Sequence, residues 1–263
     1  AYREALKYAQ EREQFGKPIF KFAAVSEMLK NMEAKTIASR ALLYETARFV
    51  DIYKQLSHIS QERSLESEER QEMKFYNRLA DGFTPLAKMF ASEYANEVAY
   101  DSIQIHGGSG YMKDYACERL YRDARIMNIY EGTTQLQVVA AINHVTKGTY
   151  LEQIMRYEEE ATSEATKPLF DKLVELRKVY EKAVERVETI DKEVAGYKDF
   201  HSRRLVEIAV YIIMSHILLR QAGENEEYVA PAKIFVKYAS KKIVEASSYI
   251  EQSEASDVEL FRA

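Results

Sequence analysis

Residues 104 to 137 bring together side chains and glycines that can do chemistry. The segment reads Gln104-Ile105-His106-Gly107-Gly108-Ser109-Gly110-Tyr111, then Glu118 to Arg125, then Ile129-Tyr130-Glu131-Gly132-Thr133-Thr134-Gln135. Three glycines within four residues follow a helical run, and their backbone amides become available to an anion or a flat ligand. Glu131 is followed at once by Gly132, which lets a ligand approach the backbone, and by Thr133, which can cap a helix or donate a hydrogen bond. A carboxylate in such a place can take a proton as a general base. Taken alone, it equally fits a solvated carboxylate favoured by the dipole of a helix N-terminus. The five histidines, at 58, 106, 144, 201 and 216, show no metal spacing, so no metal is expected. Cys117 is the only cysteine; it excludes an intrachain disulfide, and no basic partner in sequence marks it as a nucleophile.

The elements that must position these residues read as helices. Nine glycines and four prolines in 263 residues sit at boundaries, and no strand-period alternation is present. A first helix ends at Gly16-Lys17-Pro18. A second runs from about Phe20 to Lys54 on an apolar stripe that includes Leu29, Met32 and Val50. Residues 56 to 70 read as a loop and 68 to 80 as a short helix. Gly82 then breaks the chain, with Thr84 as N-cap and Pro85 at the first position of a new helix. That helix stops at Gly107. Further helices are expected near 115 to 128 and from Thr133 to Lys147. Beyond Gly148, Leu169, Leu173, Leu176, Tyr180, Val184 and Val187 step by three or four, an amphipathic helix of coiled-coil character. Helices at about 202 to 221 and after Pro231 complete the chain. The expected fold class is all-α, two helical bundles with a seam near 150 to 165.

A net charge of −5 argues against a nucleic-acid surface. The most apolar window, Ile208 to Leu219, is interrupted by His216, and without about 18 uncharged apolar residues in a row no membrane span is expected. The chain opens on Ala1-Tyr2-Arg3-Glu4-Ala5, which reads as mid-helix with no N-cap, so a piece of a longer protein is expected.

The run from Gln104 to Tyr111, with Arg122-Asp123-Ala124 and Tyr130-Glu131-Gly132-Thr133-x-Gln135, resembles the C-terminal signature of acyl-CoA dehydrogenases. Glu11-Arg12-Glu13-Gln14-Phe15-Gly16-Lys17-Pro18 resembles the Arg-x-x-Phe-Gly turn of the same family. The resemblance covers roughly residues 1 to 148. It implies the family's C-terminal four-helix bundle over 1–150, and α,β-dehydrogenation of an acyl-CoA thioester. In that chemistry Glu131 removes the α-proton and FAD accepts the β-hydride. Tyr130 and Gly132 are implied at the substrate. Thr133 and Gln135 match positions that contact the flavin of the same subunit. Arg12, Gln14 and Phe15 match positions at the pyrophosphate and adenosine side of the neighbouring subunit's cofactor. An arginine fork suits a diphosphate because it meets two oxygens at once. Gln104, Gly107 and Gly108 match positions at the partner's adenosine. The plain readings are a surface ion pair for Arg12, a core residue for Phe15 and a helix stop for the glycines. Arg122 and Asp123 read as a structural ion pair supporting the base loop.

Residues 151–263 form a C-terminal helical extension. It resembles that of very-long-chain-like or methylmercaptopropionyl-CoA dehydrogenase-like branches. The resemblance implies a homodimer, with a tetramer as the variant, and electron-transfer flavoprotein as redox partner. The implied compartment is bacterial cytoplasm or the mitochondrial matrix. The rival readings are an acyl-CoA oxidase and a non-catalytic helical interaction module; a scaffold has no need of a carboxylate at Glu131.

Overall fold

The computed structural model describes residues 1–160 and 164–261. Its regular elements are helices, with one minimal hairpin. Helix α1 (Tyr2–Glu11) leads into strands β1 (Glu13–Gln14) and β2 (Lys17–Pro18), which pair antiparallel, Glu13 with Pro18 and Gln14 with Lys17. Two helices of 40 residues follow, α2 (Ala23–Glu62) and α3 (Ser67–His106), each roughly 60 Å long at 1.5 Å per residue. Then come the single turn α4 (Gly108–Tyr111), α5 (Ala116–Ala124), a 3-10 turn at Arg125–Asn128, α6 (Thr134–Thr146) and α7 (Thr149–Glu159). The remainder is α8 (Lys167–Asp191), α9 (Tyr197–Glu224), α10 (Val229–Gln252) and the short α11 (Ala255–Leu260).

The all-α expectation holds, and several boundaries differ for physical reasons. The first helix stops at Glu11, before Gly16, because the chain turns into the hairpin that alternation analysis is too coarse to see. The expected loop at 56 to 70 is helix as far as Glu62; only Arg63–Glu66 bridge to α3. Residues beyond Leu56 project past the core, so their faces are polar without being irregular. The turn is tied by a capping box between Glu66 and Glu69 and by the buried Leu65.

The expected break at Gly82 is absent, because α3 runs straight through Pro85. Pro85 withdraws the N–H that would bond to the Asp81 carbonyl. The surroundings hold the helix together: the Thr84 hydroxyl donates to Ala80 O at 2.7 Å, and the Tyr150 hydroxyl donates to Gly82 O at 2.7 Å. Gly82 is a notch for packing. A Cβ there would lie 3.0 Å from His144 Nδ1 and 3.3 Å from Tyr150 Cε1.

One core runs from Ala34 to Val258 without parting at residue 150. Of the seam expected at 150 to 165, residues 161–163 lie outside the described residues, as do residues 262 and 263 at the end of the chain. Helix α9 is its axis: from Ile208 to Leu219 every residue is buried, as expected for a helix that is apolar all round. By length and composition α9 is apolar enough to cross a membrane, which the search for an uncharged run passed over, and 83% of its apolar window is buried inside the fold. Around it, α8 contributes Leu173, Leu176, Tyr180 and Val187, much as its periodicity anticipates. A smaller core of Ala5, Ala9, Ile19, Leu29, Met32, Val98 and Ile105 seats α1 and the hairpin on the ends of α2 and α3.

Candidate functional site

The chosen residues fall into two groups at different heights on α3. The first group surrounds a cleft of about 510 Å³ where the hairpin meets the C-terminus of α3. Arg12, Gln14 and Phe15 line it from the hairpin, and Gln104, Gly107 and Gly108 line it from α3 and the following turn. Residues almost a hundred positions apart are thus brought together by the packing of α1 on α3. Gly107 has φ 59, outside the range comfortable for a side chain, and ends α3. A Cβ on Gly107 or Gly108 would meet no atom within 4 Å, so the space beside them is open to a ligand.

Phe15 is not a core residue. It is 87% exposed, has φ 52, and meets Phe22 edge-on with ring centroids 6.3 Å apart. Arg12 is exposed, and among the described residues it forms no ion pair, which leaves its fork available to an anion. His106, unassigned by sequence reasoning, also lines the cleft; its Nδ1 lies 2.7 Å from Ser102 O and its ring stacks on Tyr8 at 4.3 Å. Cys117 is buried beneath this region with Sγ 3.4 Å from Gly110 O, and burial pushes its thiol up, in keeping with an inert cysteine.

The second group is the loop between the 3-10 turn and α6. Thr133 is the N-cap of α6, its side chain accepting from Leu136 N at 3.4 Å. Glu131 and Gly132 both have left-handed backbone, with φ 52 and 93. For glutamate that conformation costs about 1–2 kcal/mol. Strain of this kind persists only where the surroundings over-determine it, and it concentrates at functional sites. Among the described residues, the non-glycine residues at positive φ are Phe15 and Glu131, one in each group. The Glu131 side chain is exposed and, among the described residues, has no ion-pair partner; Tyr130 and Gln135 are exposed beside it.

One face of α3 holds this loop. Lys88 Nζ donates to Gly132 O at 2.7 Å, Thr134 Oγ1 donates to Glu93 Oε1 at 2.5 Å, and Asn96 Nδ2 donates to Ala124 O at 2.9 Å. From α6, Gln137 Nε2 reaches Glu131 O at 3.2 Å and Gly132 O at 3.4 Å. Sequence reasoning missed all four. The available signal was polar residues at 88, 93 and 96 on a helix otherwise buried around them. The expected Arg122–Asp123 pair does not form. Arg122 instead lies 3.8 Å from Glu118, one turn back on α5, because adjacent helical residues point to different faces.

Lys88 and His106 mark the two groups, and 18 helical residues separate them, roughly 27 Å along α3.

Comparison with known proteins gives two family-model matches: "Acyl-CoA dehydrogenase, C-terminal domain" over residues 1–145 and "Acyl-CoA dehydrogenase C terminal" over residues 146–258. The chain is 39% identical over 147 residues to a 3-(aryl)acrylate reductase of Clostridium sporogenes, covering 56% of this chain and 33% of that protein. It is 40% identical over 137 residues to the caffeyl-CoA reductase-Etf complex subunit CarC of Acetobacterium woodii, covering 52% and 30%. It therefore spans about a third of the length of these curated relatives. An acyl-CoA dehydrogenase complexed with FAD from Bacillus anthracis shares the fold with TM-score 0.69 at 24% identity, covering 95% of this chain and 45% of that one.

Proposed function

This chain belongs to the acyl-CoA dehydrogenase family, through its C-terminal domain, and from that premise we propose that it is the helical C-terminal part of a flavin-dependent enzyme acting on the α,β carbon–carbon bond of an acyl-CoA thioester. The observation that carries the reading is the backbone at Glu131. The family's base motif falls on a glutamate that is exposed, held in a left-handed turn and, among the described residues, unpaired. A solvated surface carboxylate also lacks a partner, but it has no reason to sit on a strained left-handed backbone.

The residues divide the work as follows. The thioester carbonyl acidifies the α C–H, and Glu131 accepts that proton. Tyr130 and Gly132 flank the carboxylate and meet the substrate on either side of it. Thr133 and Gln135, at the start of α6, face the cofactor of the same copy. Arg12, Gln14, Phe15, Gln104, Gly107 and Gly108 hold the diphosphate and adenosine portion of a cofactor belonging to a second copy. The open cradle beside Gly107 and Gly108 and the unpaired Arg12 fork fit such a group. When bound, FAD supplies the redox step, accepting the β-hydrogen as hydride. The roughly 27 Å between the two groups supports a homodimer in which each copy completes the other's site.

Both relatives described above are named as reductases; if this chain's reaction runs in that direction, the Glu131 carboxyl returns the proton. One of them is named as a subunit of a reductase–Etf complex, which supports electron-transfer flavoprotein as the redox partner here.

The test is anaerobic mixing of flavin-loaded full-length protein with a panel of saturated acyl-CoA thioesters. Bleaching of the flavin absorbance is expected with at least one of them, and not with Glu131→Gln carrying the same flavin content. Bleaching in the variant at a rate near wild type overturns the base assignment. No bleaching of the wild type by any thioester, with reoxidation of reduced protein by enoyl-CoA also absent, overturns the reaction class.

A further inference from the structure

Glu131 sits on a turn that the chain alone would not favour, so something must hold the turn in place. Two side chains grip the peptide groups on either side of Gly132. Gln137 Nε2 reaches the carbonyls of Glu131 and Gly132. Lys88 Nζ takes the Gly132 carbonyl at 2.7 Å, the shortest of these contacts. Lys88 also lies 5.7 Å over the Tyr130 ring, so one ammonium touches the residue before Glu131 and the residue after it. Among the described residues Lys88 forms no ion pair; its charge is directed at a neutral carbonyl. Lys88 is half-buried on α3, between the buried Ala87 and Met89, so its stem is held by a rigid 40-residue helix.

We propose that Lys88 is the positioning residue for Glu131: it fixes the turn that aims the carboxylate, without itself touching the reacting atoms. A charge-assisted hydrogen bond to a peptide oxygen is short and directional; Lys88 fixes the peptide after Gly132, Gln137 also holds the peptide between Glu131 and Gly132, and together they hold the turn from which the Glu131 side chain projects. Gly132 completes the device. A Cβ there would lie 2.8 Å from Gln137 Nε2 and would displace the second grip. Small misplacements of a catalytic group cost rate steeply, about 100-fold for an ångström, so a residue that only positions should show in kcat.

The inference rests on the base assignment under Proposed function, and the test separates the two. In the flavin-loaded full-length protein, Lys88→Met should lower kcat about 10- to 100-fold, with KM and flavin content within about threefold of wild type. The kinetic isotope effect on an α-deuterated acyl-CoA should rise, because proton removal becomes the slow step. A merely structural role would lower flavin content or the active fraction and leave the isotope effect unchanged. Lys88→Arg, which restores a cationic donor, should recover part of kcat. Should Lys88→Met fail to retain flavin, Gln137→Ala decides in its place, with an expected severalfold loss in kcat and a raised isotope effect. Wild-type kcat and isotope effect in Lys88→Met, or in Gln137→Ala where that variant decides, overturn the positioning role while Glu131→Gln remains inactive. An active Glu131→Gln overturns the base assignment instead.

Discussion

Two regions of this fold are built around a glutamate, and they use it in opposite ways. Where α2 meets α7 and α9, Glu45 of α2 is 4% exposed. It accepts from Arg48 at 2.9 and 3.0 Å, from Arg220 of α9 at 2.9 Å and from the Tyr157 hydroxyl of α7 at 2.8 Å. Burial alone would push its carboxyl up; the hydrogen bonds from Arg48 and Arg220 outweigh that and hold it at about 2. In the base loop, Glu131 is exposed, strained in its backbone and, among the described residues, without an ion pair. A fully partnered carboxylate fastens helices together. A carboxylate whose backbone is gripped while its side chain is left free is suited to take a proton. The family motif and the left-handed backbone set Glu131 apart from other exposed acids such as Glu13 and Asp51.

The largest effect that sharpens this contrast is on stability. Glu45→Ala should cost about 3 kcal/mol, the low end for removing one partner of a buried ion pair, because it leaves the buried Tyr157 hydroxyl without its acceptor and Arg220 with only Glu160 at 3.5 Å, while Arg48 is half-exposed. Chemical denaturation of the chain measures it. Glu131→Ala in the same assay should be neutral or stabilising, since it removes no contact. Equal losses in the two variants would erase the distinction.

Arg12→Ala in full-length protein should weaken flavin retention by roughly 1.5–3 kcal/mol, the cost of a lost charge-assisted contact, and should weaken dimer association with it. A surface ion pair would cost roughly 0–1 kcal/mol. Flavin titration beside sedimentation distinguishes the two. The isolated 263-residue chain should retain flavin poorly, since its two groups of cofactor residues lie far apart; stoichiometric flavin absorbance in the purified chain would contradict that.

A smaller effect is expected with pH. His201 and His216 are both buried and held at about 4, by burial first and then by Arg204 and Arg186 for His201 and by Arg177 for His216. Both folded values lie below the unfolded 6.5, so the unfolded chain binds protons that the folded chain refuses. Stability is full above pH 6.5 and falls toward pH 4, by roughly 1–2 kcal/mol per histidine by pH 5. The Glu45 contribution is present above pH 4.5 and lost progressively as pH falls from there toward 2, so it does not change between pH 7.5 and 5. Melting temperatures of wild type and His216→Phe at pH 7.5 and 5 read the difference, and an unchanged pH slope in the variant removes His216 from the account.

The sequence pointed to the candidate residues more directly than to the elements that carry them. Arg12, Phe15, Gln104 and Gly107 fall on two short motifs, and the cleft they share follows from α1 packing on α3. Glu131 and Gly132 stood out through the family motif; taken alone, a carboxylate at a helix start equally fits a solvated residue. Local rules failed where distant partners decide. Gly82, Thr84 and Pro85 read as a helix start, yet Tyr150, some 68 residues away, helps α3 continue. The polar ends of α2 and α3 read as loop because helices that leave the core lose their apolar stripe. Arg122 and Asp123 are neighbours in sequence and not in space. Lys88 stood out only as a polar residue on a buried helix, and neither Lys88 nor Gln137 could be given a role, because their partner is a backbone carbonyl with no side chain to read.

The measurement that bears most directly on the central claim is exchange of the substrate's α-proton with solvent deuterium, in full-length protein saturated with flavin. Wild type should exchange it, and Glu131→Gln should exchange it about 10²–10⁴-fold more slowly at equal flavin content. Exchange in the variant within tenfold of wild type would contradict the assignment of Glu131 as the base.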